Sequence, residues 1–534
     1  ATIELGEVNT FAIVLLLFIG VDLYFKRSSA GLNLAESWLE RLCGGKDPQR
    51  RALFMLVSFA GLCFVAHLFK HWILKTAALD ATYVNQPLNY AFGDPILKCD
   101  LCLGATRFSE HLGVSLFLIA PVTQALKSEE FIILLQNALV FFGVGALCFW
   151  GTLRKKWNLL PFAILVILSH KTFKYFTVWD FKEDHLGFVS LCFALVSLYR
   201  KGYWSFIAFI SIALASKEMT PFIVPFLSIP ILLDARLRLS GQQKFKYVAS
   251  ILILSIIWAY IGLGILMPKF ASPTGTGTGH FARLGIPGDT VSEIIVNLLT
   301  SPKVWWTIIS EKLLKLSVPK YLFFLALPFI FSIKKSWTWW VAALPMIAIN
   351  ILSRFESQRS LRFHYEAFLL PFLIMGMLLW IQNWDWKKEK KRMALLLLVA
   401  FCVSDRWPAH FVWRYFPSLA EVQYVSFFNN IKNEPGEDYL AATGQMHGQT
   451  SHLMYLSEVH FGGMKLGDRD SNLSTFARKN KDEIRKKLRR FLLNLNDERQ
   501  IAFLSTFNDD EVQQIRKSRD GLMVYLELKK PIGF

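Results

Sequence analysis

Apolar runs alternate with short basic segments along the chain as far as residue 408. The runs are 9–25, 52–74, 130–153, 158–174, 186–200, 203–216, 219–234, 247–268, 318–333, 337–352, 365–384 and 393–405. Crossing a bilayer as a helix takes roughly 20 mostly apolar residues, so the pattern predicts a mainly α, polytopic membrane protein of about 12 spans. No small-residue cleavage site follows 9–25, which therefore reads as a span. Residues 112–126 are apolar but short and contain Pro121.

Charge orders these runs. Lys and Arg collect on the cytoplasmic side of membrane proteins, which places the clusters Arg50–Arg51, Arg154–Lys156, Arg236–Arg238 and Lys387–Arg392 inside. The alternation closes at every crossing if 112–126 is a re-entrant or juxtamembrane helix. Segments 75–129, 175–185, 269–317 and 353–364 then become external loops of the 52–408 domain. Residues 1–51 read as an extra N-terminal span followed by a cytoplasmic amphipathic segment. After Pro408 the chain turns polar, with β-like runs DYLAAT, IAFLST and LMVYLEL and a basic amphipathic helix expected around 481–493. Residues 409–534 are therefore expected to form a small extracytoplasmic α/β domain, able to meet protein partners.

Composition agrees. The 534 residues are 53% hydrophobic and 19% charged, with 46 Phe, 17 Trp and a mean hydropathy of +0.35; soluble proteins carry about 25% charge. The net charge of +18 is accounted for by basic cytoplasmic loops, so nucleic acid is not an expected partner; the bilayer is. The chain reads as an inner (plasma) membrane protein with its C-terminal domain periplasmic. Cys63, Cys148, Cys192 and Cys402 fall in apolar runs as small core residues. Cys99 and Cys102 have zinc-ligand spacing but no second pair, so a disulfide or two free thiols fit better than a metal.

The external loops gather ionisable residues: Asp80, Glu110, His111, Asp180, Glu183, Asp184, His185, Lys217, Glu218, His280, Arg354, Arg359, Arg362 and His364. Charges at membrane depth are costly and usually face a cavity. The sharpest case is Lys217–Glu218, in a very short turn between apolar runs. Each residue has an ordinary structural reading beside the functional one: a helix cap for Glu110–His111, a headgroup anchor for the arginines, a tie between spans for Lys217–Glu218. Read functionally, the carboxylates can act as general base or hold a divalent cation such as Mg or Mn. Arg, Lys and His can neutralise a phosphate. Glycosyl transfer from a lipid phosphate needs both.

The stretches LDATYVNQPLNYAF (79–92), FSEHLGVSLFLIAPVTQAL (108–126), WDFKEDHLGFVSLCFALVSLYRKGYW (179–204), ALASKEMTPFIVP (213–225), LGIPGDTVSEIIVNLLTSP (284–302) and NILSRFESQRSLRFHYEAFLLPF (350–372) together resemble a bacterial multi-spanning family of unknown function allied to the GT-C glycosyltransferases. The resemblance implies a GT-C-like helical bundle, a polyprenyl-phosphate sugar as donor, and an acidic residue in the first external loop, here Asp80, acting on the acceptor or on a metal. Two departures stand out. Ala81 follows Asp80 where adjacent acids are common, and Lys182 in DFKED occupies the place of a His.

The expected function is thus a membrane glycosyltransferase serving an extracytoplasmic acceptor. Asp80 and Glu218 are the expected catalytic carboxylates, with Asp80 also the metal candidate. Lys217, Arg354, Arg359, Arg362, His364, Glu110, His111, Asp180, Asp184 and His280 are expected to hold substrate or phosphate. Two other classes compete: a lipid or solute transporter or flippase, and a non-catalytic scaffold subunit of a larger complex. Transporters often show internal repeats, and none is visible in this chain.

Overall fold

The computed structural model describes residues 30–44, 46–72, 78–93, 96–99, 106–109, 111–126, 128–153, 156–270, 284, 286–288, 291–313, 315–353, 355–361, 365–385, 387–403, 415–417, 439–442, 456–458, 488–494, 504–505, 508–518 and 523–530. They are mainly helical, with one small sheet near the C-terminus.

The Glu183–Tyr199 helix organises the packing. All of its residues are buried except Phe193 and Tyr199, as expected of a helix that is apolar on every side. It lies against the helices Glu129–Gly145, Tyr203–Leu214 and Leu370–Ile381. Its start is built with care. Burial strips water from the first N–H groups of a helix, which then need partners. Here the His185 ring accepts the Lys182 N–H at Nδ1 (3.1 Å) and donates from Nε2 to the Phe176 carbonyl (2.9 Å). The ring is stacked between Phe176 and Phe181. His185 therefore locks the turn that presents Glu183 and Asp184.

Three helices among the described residues are long and apolar enough to cross a membrane: Pro48–Trp72, Glu129–Thr152 and Gly241–Phe270. Two bent pairs raise the number to five: Trp157–Leu168 with Lys171–Val178, and Pro302–Leu313 with Ser317–Ile330. This differs from the twelve uniform crossings expected, because several apolar runs are broken. The 158–174 run kinks by 68° at Ser169–His170, where the His170 side chain accepts the Thr172 N–H and starts a new helix. The 219–234 run is cut into three short helical pieces, since Pro221, Pro225 and Pro230 each remove a backbone donor. Residues 112–126 form a 3-10 turn, Val114–Leu118, and a short helix, Ala120–Leu126, rather than a full crossing. The loop expected at 269–317 contains the helices Val291–Thr300 and Pro302–Thr307.

The C-terminal strands are β1 (Tyr439–Ala442), β2 (Leu456–Glu458), β3 (Leu488–Asn494), β4 (Val512–Lys517) and β5 (Met523–Leu528), in the order β2-β1-β3-β5-β4. The β1–β2 and β1–β3 pairs are parallel, and β3–β5 and β4–β5 are antiparallel. The register sets Phe491 opposite Leu526 and Leu493 opposite Val524, all buried. DYLAAT and LMVYLEL thus supply strands as expected. The basic helix expected at 481–493 is corrected, because 488–493 belong to β3. Its period-two alternation of Phe491 and Leu493 outweighs the flanking basic residues. Leu504 and Ser505 of IAFLST lie outside any strand.

Below the membrane-facing core, Asp234 ties two helical segments together. Its carboxylate accepts from the Arg236 guanidinium (2.8 and 2.6 Å) and from Trp339 Nε1 (2.7 Å). Burial works against ionisation, yet Arg236 and Trp339 hold this carboxyl below the usual Asp range. A depressed folded-state pKa contributes stability above the unfolded pKa, and that contribution is lost as pH falls through the folded value. The melting temperature of the purified protein is therefore expected to fall as pH drops below the ordinary Asp pKa of about 3.9. Asp234→Asn should flatten that part of the profile; an unchanged profile would show that the tie carries no stability.

Candidate functional site

Four segments far apart in sequence meet around the start of the Glu183–Tyr199 helix and bury a network of charges. Four carboxylates, Asp180, Glu183, Asp184 and Glu218, are at most 2% exposed. Each faces a cation or a histidine. Lys217 Nζ donates to both Asp184 oxygens at 2.7 and 2.8 Å. Arg107 donates to Glu183 Oε1 at 2.8 Å. His111 Nδ1 lies 3.2 Å from Glu218 Oε1 and 3.9 Å from Glu183, and Glu218 Oε2 accepts the Leu112 N–H at 3.2 Å. Lys70 donates to Asp180 at 3.3 Å and to the Val178 carbonyl at 3.0 Å, with His67 at 3.8 Å from Asp180.

The electrostatics follow from these contacts. Burial disfavours the charge on Lys217, but Asp184, Glu183 and Glu218 around it raise the ammonium above its ordinary value. Asp180 is likewise penalised by burial, yet Lys70 and His67 bring its carboxyl below the usual range. Asp180 is thus held ionised, whereas burial, with Glu183 alongside, raises the Asp184 carboxyl against the pull of Lys217. Lys217 and Glu218, adjacent in sequence, turn to different partners rather than to each other.

Lys217 also borders a small cavity lined by Met219, Leu284, Met346, Gln358, Tyr365 and Phe368. The Gln358 amide oxygen is buried and has no hydrogen-bond partner among the described residues. Glu366, next in sequence to Tyr365, is 1% exposed, and neither carboxylate oxygen is hydrogen-bonded among the described residues. The loop that brings Gln358 and Tyr365 here is strained: Leu361 is buried at φ 54°, a left-handed conformation that costs a non-glycine residue of order 1–3 kcal/mol.

The sequence-chosen residues divide accordingly. His111, Asp180, Asp184, Lys217 and Glu218 come together. Arg359 does not present its charge to the cavity. Its guanidinium is buried and donates to the Ile351 and Ser353 carbonyls (3.1 and 2.6 Å) and to Ser317 Oγ (3.2 Å). It caps the end of the Ile333–Leu352 helix, satisfying the free carbonyls there. Asp80 lies in the first turn of the Ala78–Asn89 helix; its side chain is outside the described residues, as are Glu110, His280, Arg354, Arg362, His364 and Cys102. Cys99 is disulfide-bonded, in a loop closed by the Lys98–Thr106 bridge. Among the described residues no group of three or more His, Cys, Asp or Glu side chains is arranged as a metal site. Asp180, Glu183, Asp184 and Glu218 each spend an oxygen on Lys70, Arg107, Lys217 or His111.

Lys70, His67 and Arg107 were not singled out from sequence. The first two were within reach. His67, Lys70 and His71 sit at spacings of three and four, so they share one helix face, and ionisable groups inside an apolar run ask for partners. Arg107 carries no such signal, because only the fold brings it to Glu183.

Among comparisons with known proteins, a family model described as "predicted membrane protein (DUF2079)" matches residues 68–405. No curated protein matches the chain.

Proposed function

The chain belongs to the DUF2079 family of predicted membrane proteins, and from that premise we propose that it is a membrane glycosyltransferase. It moves a sugar from a polyprenyl-phosphate donor to an extracytoplasmic acceptor. A GT-C-like bundle is part of this reading, with the short apolar helices Tyr203–Leu214, Thr220–Leu233 and Leu370–Ile381 bringing the number of membrane segments towards twelve. So is the location, an inner membrane with the 409–534 domain on the periplasmic side.

One observation carries the proposal. Lys217, oriented by Asp184, shares a cavity with the unpaired Gln358 amide oxygen and Tyr365, beside the His111–Glu218 pair. A cation held in place by a buried carboxylate is suited to a phosphate leaving group, and an orphaned amide oxygen is suited to a sugar hydroxyl. In the proposed reaction the acceptor hydroxyl gives its proton to a carboxylate, Asp80, as its oxygen attacks the sugar's anomeric carbon. The anomeric C–O bond to phosphate breaks, and the electron pair leaves with polyprenyl phosphate, whose charge Lys217 balances. Glu218 is assigned a positioning role, fixing the ring of His111.

The test is transfer from radiolabelled polyprenyl-phosphate sugars by the purified full chain, with a membrane extract as acceptor. Asp80→Asn is expected to lower the rate by about 10²–10⁴, the usual contribution of a general base, without lowering the melting temperature. Gln358→Leu is expected to raise KM more than it lowers kcat. Absence of transfer by the wild type across the donor panel would overturn the reading. Equal transfer by wild type and Asp80→Asn would remove Asp80 from it.

A further inference from the structure

A second concave surface lies on the other half of the Pro48–Trp72 helix. It is a groove of about 830 Å³ between that helix and Glu129–Thr152. Small residues form its floor: Ala60, Ala138, Gly145 and Ala146. Phe142, Phe149 and Trp150 rise on one side, with Leu53 and Val57 on the other. The wall helix changes to π geometry over Ala146–Thr152 and leaves helical backbone at Gly151. Such π segments occur often at functional sites, and this one turns Phe149 and Trp150 along the groove. A Cβ at Gly145 would meet Leu56 Cδ2 at 3.0 Å, so the Leu56 side chain would have to give way to anything larger than glycine. The floor is therefore kept low by sequence.

The mouth differs chemically from the floor. Gln49 and Arg50 line it together with Trp157, and Lys156, next to Trp157, is exposed. Tryptophan at the edge and cations just beyond it are the pattern of a membrane–water interface. Leu53 is seventeen positions before Lys70 on the same helix, roughly 25 Å along its axis. The groove thus opens at the opposite end of the helix from the buried charge network, in the leaflet where the basic loops lie.

We infer that this groove is a binding site for an anionic phospholipid of the cytoplasmic leaflet, one acyl chain along the small-residue floor and the headgroup phosphate at Arg50 and Lys156. The inference is independent of the transferase reading. An apolar trough within two membrane-spanning helices is filled by hydrocarbon, and the cationic mouth selects the sign of the headgroup.

Native mass spectrometry of the full chain, delipidated in detergent and titrated with phosphatidylglycerol or phosphatidylcholine, tests it. One phosphatidylglycerol is expected to be retained at least tenfold more tightly than phosphatidylcholine. Arg50→Ala combined with Lys156→Ala should bring the ratio near one, and Ala60→Trp, which fills the floor, should weaken both lipids. Melting temperatures measured without lipid identify any variant that fails to fold, and Ala138→Phe serves as a second filling variant. Equal retention of the two lipids by the wild type, or retention unchanged in both filling variants, would overturn the proposal. So would retention that emerges only after deletion of residues 1–29, which would identify this chain's own apolar segment 9–25 as the occupant.

Discussion

Lys217→Met is expected to destabilise the protein by about 3–5 kcal/mol, the usual consequence of removing one partner from a buried ion pair. Asp184 would keep two oxygens in a site only 1% exposed, with their donor gone. An exposed pair would behave differently, at roughly 0–1 kcal/mol, so the size of the loss reports how dry the site is. The double variant Asp184→Leu/Lys217→Met is expected to recover most of the stability, because apolar replacement of both partners is often neutral. Chemical unfolding in detergent of the wild type, Lys217→Met, Asp184→Leu and the double variant gives the coupling directly. A loss below 1 kcal/mol for the single variant would mean that water reaches the pair. Recovery of stability in the double variant without recovery of transfer would separate the structural role of Lys217 from its proposed role at phosphate.

Gly187→Ala is the second large effect. On this central helix an added Cβ would fall 2.3 Å from Phe368 Cε1, 2.7 Å from Cζ and 3.3 Å from Ser216 Cβ. Alanine ordinarily stabilises a helix by about 1 kcal/mol over glycine. Here Phe368 is fully buried and can yield only into the small cavity beside Lys217, so overpacking prevails, with a net loss of about 1–3 kcal/mol. The strain also falls one residue from the Ser216–Lys217 bond and within one helical turn of Asp184, so activity should fall with stability. Adding Phe368→Leu is expected to return part of the loss, and melting temperatures of the wild type, Gly187→Ala and the double variant read it. A Gly187→Ala protein as stable as the wild type would show that Phe368 yields.

Much of the architecture was carried by local pattern. The apolar runs announced a helical membrane chain, the polar C-terminal stretch with its alternating DYLAAT and LMVYLEL announced a sheet, and the short Pro-containing 112–126 run announced something less than a full crossing. Each rests on periodicity or length, which neighbours in sequence encode. The broken spans were harder, since an apolar run looks the same whether it passes straight through or kinks at His170. The strand 488–494 was hidden because its basic residues imitate a helix face.

The candidate site divides along the same line. Placing Asp184, Lys217, Glu218, Asp180 and His111 near one face needed only the order of loops and spans, and the buried turn at Lys217–Glu218 marked itself by cost. Which charge meets which needed the tertiary structure: Lys217 chose Asp184 over its own neighbour, Arg107 arrived at Glu183 unannounced, and Arg359 went to backbone carbonyls rather than to the cavity. The reason is physical. Desolvation makes every buried charge seek a partner, so composition fixes that pairs must form, while the partners are set by which helix ends the packing around Glu183–Tyr199 brings within 3 Å.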